Sequence, residues 1–274
     1  MKKISRSTLC VAALSLFMGL HSAYAQTAAR WQPSAGHKQI LLWPSLPPGV
    51  KPGPDSETVG FAEKPVAGRP WTYISHVSRP TMTVYSPKGN NTGAAVMLFP
   101  GGGYQILAID LEGTEICDWL TSKGITCVLL KYRVPHGGPS YQNDCDCMIN
   151  PKPAPAVQDA QRAMGIIRLH AAEWKIDPHK IGVIGFSAGG HLVAAMSNYW
   201  QKRQYTPIDA ADRQSIRPDF AITLYPGHLW VKSEGPLSFN PDLHVTAKTP
   251  PTFMVHARMT ASTTRTRRFR TTRS

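Results

Sequence analysis

Ser187 stands in Gly185-Phe186-Ser187-Ala188-Gly189-Gly190-His191, directly after the apolar run Ile181 to Phe186. A serine with glycine two residues before and two after suits nucleophilic attack on an acyl carbon. A strand that turns sharply into a helix needs positions without side chains where the two approach, and the turn leaves the hydroxyl exposed at the helix N-terminus. A second glycine segment, Phe99-Pro100-Gly101-Gly102-Gly103-Tyr104, follows another apolar run, Ala94 to Phe99. Glycines after a strand let backbone N–H groups approach a reacting carbonyl and hold the oxyanion that develops there. The chemistry implied is acyl transfer through a covalent serine intermediate, which calls for no cofactor and no metal.

The other reactive side chains read as support. His191 follows Ser187 by one helical turn, but the base of such a site comes later in the chain, after an acidic residue and beyond the last strand. Asp159 and Arg162 fall on a predicted helix before the Ser187 strand and read as scaffold hydrogen-bonding groups. Tyr104 is the candidate substrate-binding residue; the alternative is that it packs beneath the glycine segment. Asp110 and Glu112, close behind the glycines, could help shape the site and are not assigned a catalytic role.

These residues need a frame. Thr81 to Tyr85, Ala94 to Phe99, Ile125 to Tyr132, Ile181 to Phe186, Phe220 to Tyr225 and Thr252 to His256 read as strands, several apolar on both faces. Gly113 to Lys123 and Ala156 to Trp174 carry apolar residues at helical spacing, and a further helix opens at Ser187. Strands alternating with helices predict a mostly parallel sheet with helices on both faces. Residues 26–69, rich in Pro and Gly, read as an extended arm anchored by Leu41-Leu42-Trp43-Pro44.

Lys2, Lys3 and Arg6, the apolar run Leu9 to Leu20 and Ala23-Tyr24-Ala25 form a secretory signal, residues 1–25, so a secreted protein, periplasmic or extracellular, is expected. No later run is apolar for long enough to predict a membrane span. The formal net charge of +13 is concentrated in that leader and in Arg258, Arg265, Arg267, Arg268, Arg270 and Arg273. The body, residues 26–257, keeps a modest excess with no basic stripe among aromatics, so neither nucleic acid nor membrane is expected as a partner. Cys117 and Cys127 lie in apolar segments and read as plain core residues. Cys145 and Cys147, in a polar loop, are the candidates for a disulfide, and sequence alone does not choose the pairing.

The succession Pro-Gly-Gly-Gly-Tyr, Leu-Lys-Tyr-Arg, Asp-Ala-Gln-Arg-Ala-Met and Gly-Phe-Ser-Ala-Gly-Gly-His resembles the secreted bacterial α/β-hydrolase esterases related to acetyl-xylan and feruloyl esterases, a branch near the hormone-sensitive-lipase-like group. The resemblance runs from about Leu41 to Ala257. It implies the α/β-hydrolase fold, Ser187 as nucleophile, and Gly102, Gly103 and Ala188 as oxyanion donors, with a small-molecule or polysaccharide ester as substrate. Pro100 stands where the lipase-like group usually has His.

The resemblance also implies an Asp-Asp pair just after the strand Thr252 to His256 and a histidine further on. Here residues 258–274 are Arg- and Thr-rich without an acidic residue, too poor in apolar groups to order themselves. Reading one base earlier joins the G of the Met259 codon to the AC of Thr260 and spells Asp. The expectation is a frameshifted, truncated C-terminus: a hydrolase domain whose last strand and helix are missing, with impaired activity. The alternatives are a serine peptidase of the prolyl-oligopeptidase type and a catalytically dead carbohydrate-binding protein.

Overall fold

The structure, a computed structural model, describes residues 30–51, 53, 56–134, 141–142, 147–148, 154–231, 238–240 and 243–256. The leader, Cys145 and the tail from Ala257 onward, and so the expectations placed on them, lie outside the described residues. Cys147 is described in its backbone alone. In chain order the strands are β1 (Gln39–Leu41), β2 (Thr58–Phe61), β3 (Thr72–Ser75), β4 (Thr81–Tyr85), β5 (Ala95–Phe99), β6 (Ile106–Leu107), β7 (Thr126–Lys131), β8 (Tyr141–Gln142), β9 (Cys147–Met148), β10 (Ile181–Phe186), β11 (Ala221–Leu224), β12 (Trp230–Val231), β13 (Ser238–Phe239) and β14 (Thr252–Val255). The helices are α1 (Glu115–Ser122), α2 (Ala154–Leu169) and α3 (Ala188–Asn198), with a π-helical turn at Asp110–Thr114.

Seven strands form the main sheet in the order β1-β4-β7-β5-β10-β11-β14. From β7 to β14 all neighbours are parallel, and β4 runs antiparallel to both β1 and β7. Every residue of β5, β7 and β10 is buried, as continuous apolar runs covered on both faces require. At the far edge β14 is exposed at all four positions. It is the last strand among the described residues.

The N-terminal arm carries more structure than its composition suggests. β1 adds an antiparallel edge to the main sheet, and β2 and β3 form a hairpin that pairs with β6 in a small sheet of order β2-β3-β6. Strands this short give no periodicity to read; they are fixed by the partner they pair with. Of Leu41-Leu42-Trp43-Pro44, Leu42 and Trp43 are buried while Leu41 and Pro44 are exposed, and Trp43 Nε1 donates to Asp159 Oδ1 at 2.9 Å. Asp159 also accepts from the Arg133 backbone N–H and from Nε of the Arg133 guanidinium. Arg162 bonds the Leu42 carbonyl and the carboxylates of Asp209 and Asp212, so both residues serve the scaffold.

The expectation for Cys117 and Cys127 is corrected. Both are fully buried, and they are joined in a disulfide, with Cα atoms 5.1 Å apart. Helix α1 docks on β7 so that two residues, each in an apolar segment, face one another; a segment-by-segment reading cannot see that juxtaposition.

Candidate active site

Ser187 sits between the last residue of β10 and the first of α3 with φ 51° and ψ −113°, a left-handed conformation that a non-glycine residue adopts only when its surroundings enforce it. Three backbone hydrogen bonds do so here. The Ser187 N–H donates to the Leu224 carbonyl at 3.0 Å, and its carbonyl accepts from the N–H groups of His191 at 3.1 Å and Gly227 at 3.0 Å. Gly189 is required: a Cβ there would lie 2.1 Å from the Phe99 carbonyl oxygen and 2.8 Å from that of Pro100. The turn is therefore pressed against the end of β5, where the glycine segment begins.

That segment abuts the nucleophile. A Cβ at Gly101 would lie 3.1 Å from Ser187 Cβ and 2.6 Å from both the Phe186 carbonyl oxygen and Glu112 Oε2. Its N–H already donates to Glu112 Oε2 at 2.7 Å. The remaining glycines, Gly102 and Gly103, both have positive φ, and the Gly102 carbonyl accepts from the N–H groups of Gln105 and Ile106. Ala188, the first residue of α3, is fully buried.

Three side chains fix the segment. Glu112, on the π-helical turn, holds Gly101 with one carboxylate oxygen and accepts from the Tyr225 hydroxyl at 2.6 Å with the other. Burial, and then the Glu112 carboxylate, raise the Tyr225 phenol well above its usual range. Glu112 thus bridges the glycine segment and the residue after β11, a role that sequence reading did not assign. The signal available was a carboxylate just behind three glycines, and a tyrosine ending the strand next to that of Ser187.

Tyr104 forms a second clamp. Its side chain is 2% exposed, so it packs beneath the segment and does not line an open pocket, which corrects its assignment as the substrate-binding residue. The hydroxyl lies 2.8 Å from Nδ1 of His191 on α3. Burial, and then neighbouring His228, push His191 down to about 3. It is a neutral buried ring with its Nδ1 occupied, in keeping with its reading as a core residue. The Tyr132 hydroxyl donates to the Pro100 carbonyl at 2.6 Å, tying the same segment to the end of β7.

After Ser187, the described carboxylates lie elsewhere. Asp209 and Asp212 are held by Arg162, and Asp219 precedes β11, at the opposite end of the parallel strands from Ser187. The arrangement brings together a strained serine and a clamped glycine segment, the two parts that the sequence motifs specify. Among the described residues it does not add a carboxylate–histidine pair.

The BD-FAE family pattern matches residues 82–225, which span β4, the glycine segment, the Ser187 turn and β11. The chain belongs to the BD-FAE family. An acetylxylan esterase of Xylanibacter ruminicola is 32% identical over 153 residues, which cover 56% of this chain and 26% of that protein. An arylesterase of Saccharolobus solfataricus is 33% identical over 114 residues, 42% of this chain and 33% of that protein. The chain thus spans a third or less of the length of these curated relatives. Among solved structures, the acetyl ester-xyloside bifunctional hydrolase from Caldicellulosiruptor lactoaceticus superposes with a TM-score of 0.54 at 27% identity, covering 79% of this chain and 73% of that one. The fold of this BD-FAE chain is the α/β-hydrolase fold, with its mostly parallel sheet.

Proposed function

We propose that this BD-FAE chain is a serine carboxylic-ester hydrolase of the carbohydrate-esterase kind, exported from the cell and acting on acylated plant polysaccharide or its fragments. The observation that carries the reading is the strained Ser187 turn pressed against the glycine segment. The similarity to an acetylxylan esterase and to an acetyl ester-xyloside hydrolase supports the substrate class.

In this reading the Ser187 hydroxyl attacks the acyl carbon and its proton passes to a base. The carbonyl oxygen becomes an oxyanion held by the backbone N–H groups of Gly102, Gly103 and Ala188. Gly101 is not a donor, because Glu112 occupies its N–H. The ester C–O bond then breaks, the alcohol leaves with a proton, and water releases the acid from Ser187.

A serine hydroxyl is a weak nucleophile without a positioned base. Among the described residues no histidine with a carboxylate partner stands beside Ser187 to serve as that base. The test compares aryl-acetate hydrolysis by the protein and by its Ser187→Ala variant, which is expected to be slower by more than about 10³-fold. Hydrolysis that survives Ser187→Ala would overturn the assignment. Cleavage of a prolyl amide in preference to the ester would favour the peptidase, and retention on insoluble xylan with no turnover would favour the binding protein.

A further inference from the structure

The small sheet β2-β3-β6 has one buried face and one face that no part of the reaction uses. Val59, Ile74 and Leu107 pair across the three strands and so share a face, on which Ile74 and Leu107 are fully buried. The opposite face carries Gly60 paired with Tyr73, then Thr58 and Ile106 on either side of Ser75, which is buried and hydrogen-bonded to Thr58; it is therefore open only at its Tyr73 end. Tyr73 lies over β2 where a side chain would stand: a Cβ at Gly60 would be 2.4 Å from Tyr73 Cζ and 2.5 Å from its hydroxyl. One ring face is thereby spent on backbone and the other is turned away from it. The Tyr73 hydroxyl has no hydrogen-bond partner among the described residues.

Trp71 completes the surface. Its ring centroid is 6.2 Å from that of Tyr73 and its plane is inclined by 61°, so the two rings form a shallow angled cradle. The Trp71 indole N–H donates to the Lys64 carbonyl at 3.1 Å, and its own carbonyl accepts from the Ala62 N–H, which together hold the ring over the β2–β3 hairpin. Both aromatics are only half-buried. Rigid aromatic rings held by hydrogen bonds present large contact area at little entropic cost.

The position of the cradle points to its occupant. From Tyr73 the sheet leads two residues along β3 and one strand across to Ile106, roughly 8 Å away by ordinary strand dimensions. Ile106 packs on Gly102, which it would contact at 2.7 Å through Cγ1 if that glycine carried a Cβ. The sheet thus leads from the cradle, past the buried Ser75, to the glycine segment beside Ser187. A ligand reaching from one to the other must be longer than a simple acyl ester, and to stack on the rings it must offer an apolar C–H face.

We propose that Trp71 and Tyr73 form a binding subsite for a pyranose unit of the polysaccharide main chain, stacked on the rings while an acylated neighbour is presented to Ser187. The assignment rests on the carbohydrate-ester reading of Ser187, but its test needs no turnover. The chain as written is run in native gels containing soluble acetylated xylan, with dextran gels as control. Retardation by xylan alone is expected, with apparent affinity falling about tenfold in Trp71→Ala and in Tyr73→Ala and being kept in Tyr73→Phe. Gly60→Ala is the decisive variant: it removes no aromatic group, yet it forces the flexible end of Tyr73 off its seat, and it should weaken retardation with an unchanged unfolding midpoint. Thermal unfolding of each variant separates lost binding from lost folding. Absence of retardation by xylan, or equal retardation of the wild type, Trp71→Ala and Gly60→Ala, overturns the subsite. Retained binding by a protein that does not hydrolyse esters would instead overturn the Ser187 reading and leave the subsite standing.

Discussion

The centre of the main sheet contrasts with its β14 edge. At β10 and β5 every residue is buried, and the loops that follow are held by Glu112, Tyr104, Tyr132 and the carbonyl of Leu224. At β14, three strands' width away from β5, Phe253, Met254 and Val255 are 63%, 54% and 42% exposed. The contrast teaches that the nucleophile and the glycine segment form a self-supporting unit. Their geometry is over-determined by bonds to β7, α3, β11 and the π-helical turn, and it borrows little from β14. Backbone strain at Ser187 persists where the surroundings outvote it.

A large expected effect tests that unit directly. Gly189→Ala places a Cβ against two main-chain carbonyls that cannot rotate away, and it should destabilise the protein by about 3 kcal/mol or more, read as a shift in the denaturant midpoint. A near-neutral result would mean that the turn and β5 are not in contact, and the contrast would fail.

A smaller effect concerns the buried ring beneath the glycine segment. Burial, then His228, hold His191 at about 3 in the folded state against 6.5 unfolded. The unfolded chain therefore takes up a proton that the folded one refuses. The stability is fully present above about pH 6.5 and is lost as pH falls toward 3. His191→Gln, which can still bond the Tyr104 hydroxyl, should lose less stability over that window. Parallel curves for the two proteins would show that His191 does not supply the pH dependence.

The smallest effect belongs to the open edge. Phe253→Lys should change stability by less than about 0.5 kcal/mol and raise the protein concentration at which aggregation begins, because it places a charge on an exposed edge strand. The same substitution at Leu98, fully buried in β5, should abolish cooperative unfolding. If both sites respond alike, the centre and the edge are not different in kind.

What was legible in the sequence follows the same division. β4 and β10 were placed to the residue, and β5, β7, β11 and β14 to within one residue at an end or both, because long apolar runs between glycines leave few alternatives. Ser187 was legible for the same reason: its glycines are demanded by close approach of strand and helix. The small sheet was not, since β2, β3 and β6 are two to four residues long and exist only through mutual pairing. Glu112 and Tyr225 are far apart in the chain and meet through tertiary packing, which no local pattern encodes. Tyr104 was read as facing substrate because aromatic residues beside glycine loops suit either side; its partner on α3 decides the matter.

The disulfide carries a practical consequence. Cys117 and Cys127 are both at 0% exposure, and the bond closes a loop of sequence separation 10 between α1 and β7, a cross-link of a length that typically adds about 2–3 kcal/mol to a fold. A batch made in a reducing cytosol would begin with two shielded thiols that an oxidant reaches only when the domain opens. Material from an oxidising compartment would carry the cross-link from the start. Two preparations of one sequence would then be chemically different samples, distinguishable by intact mass and by thiol titration under denaturing conditions, and a stability measured on one would not transfer to the other.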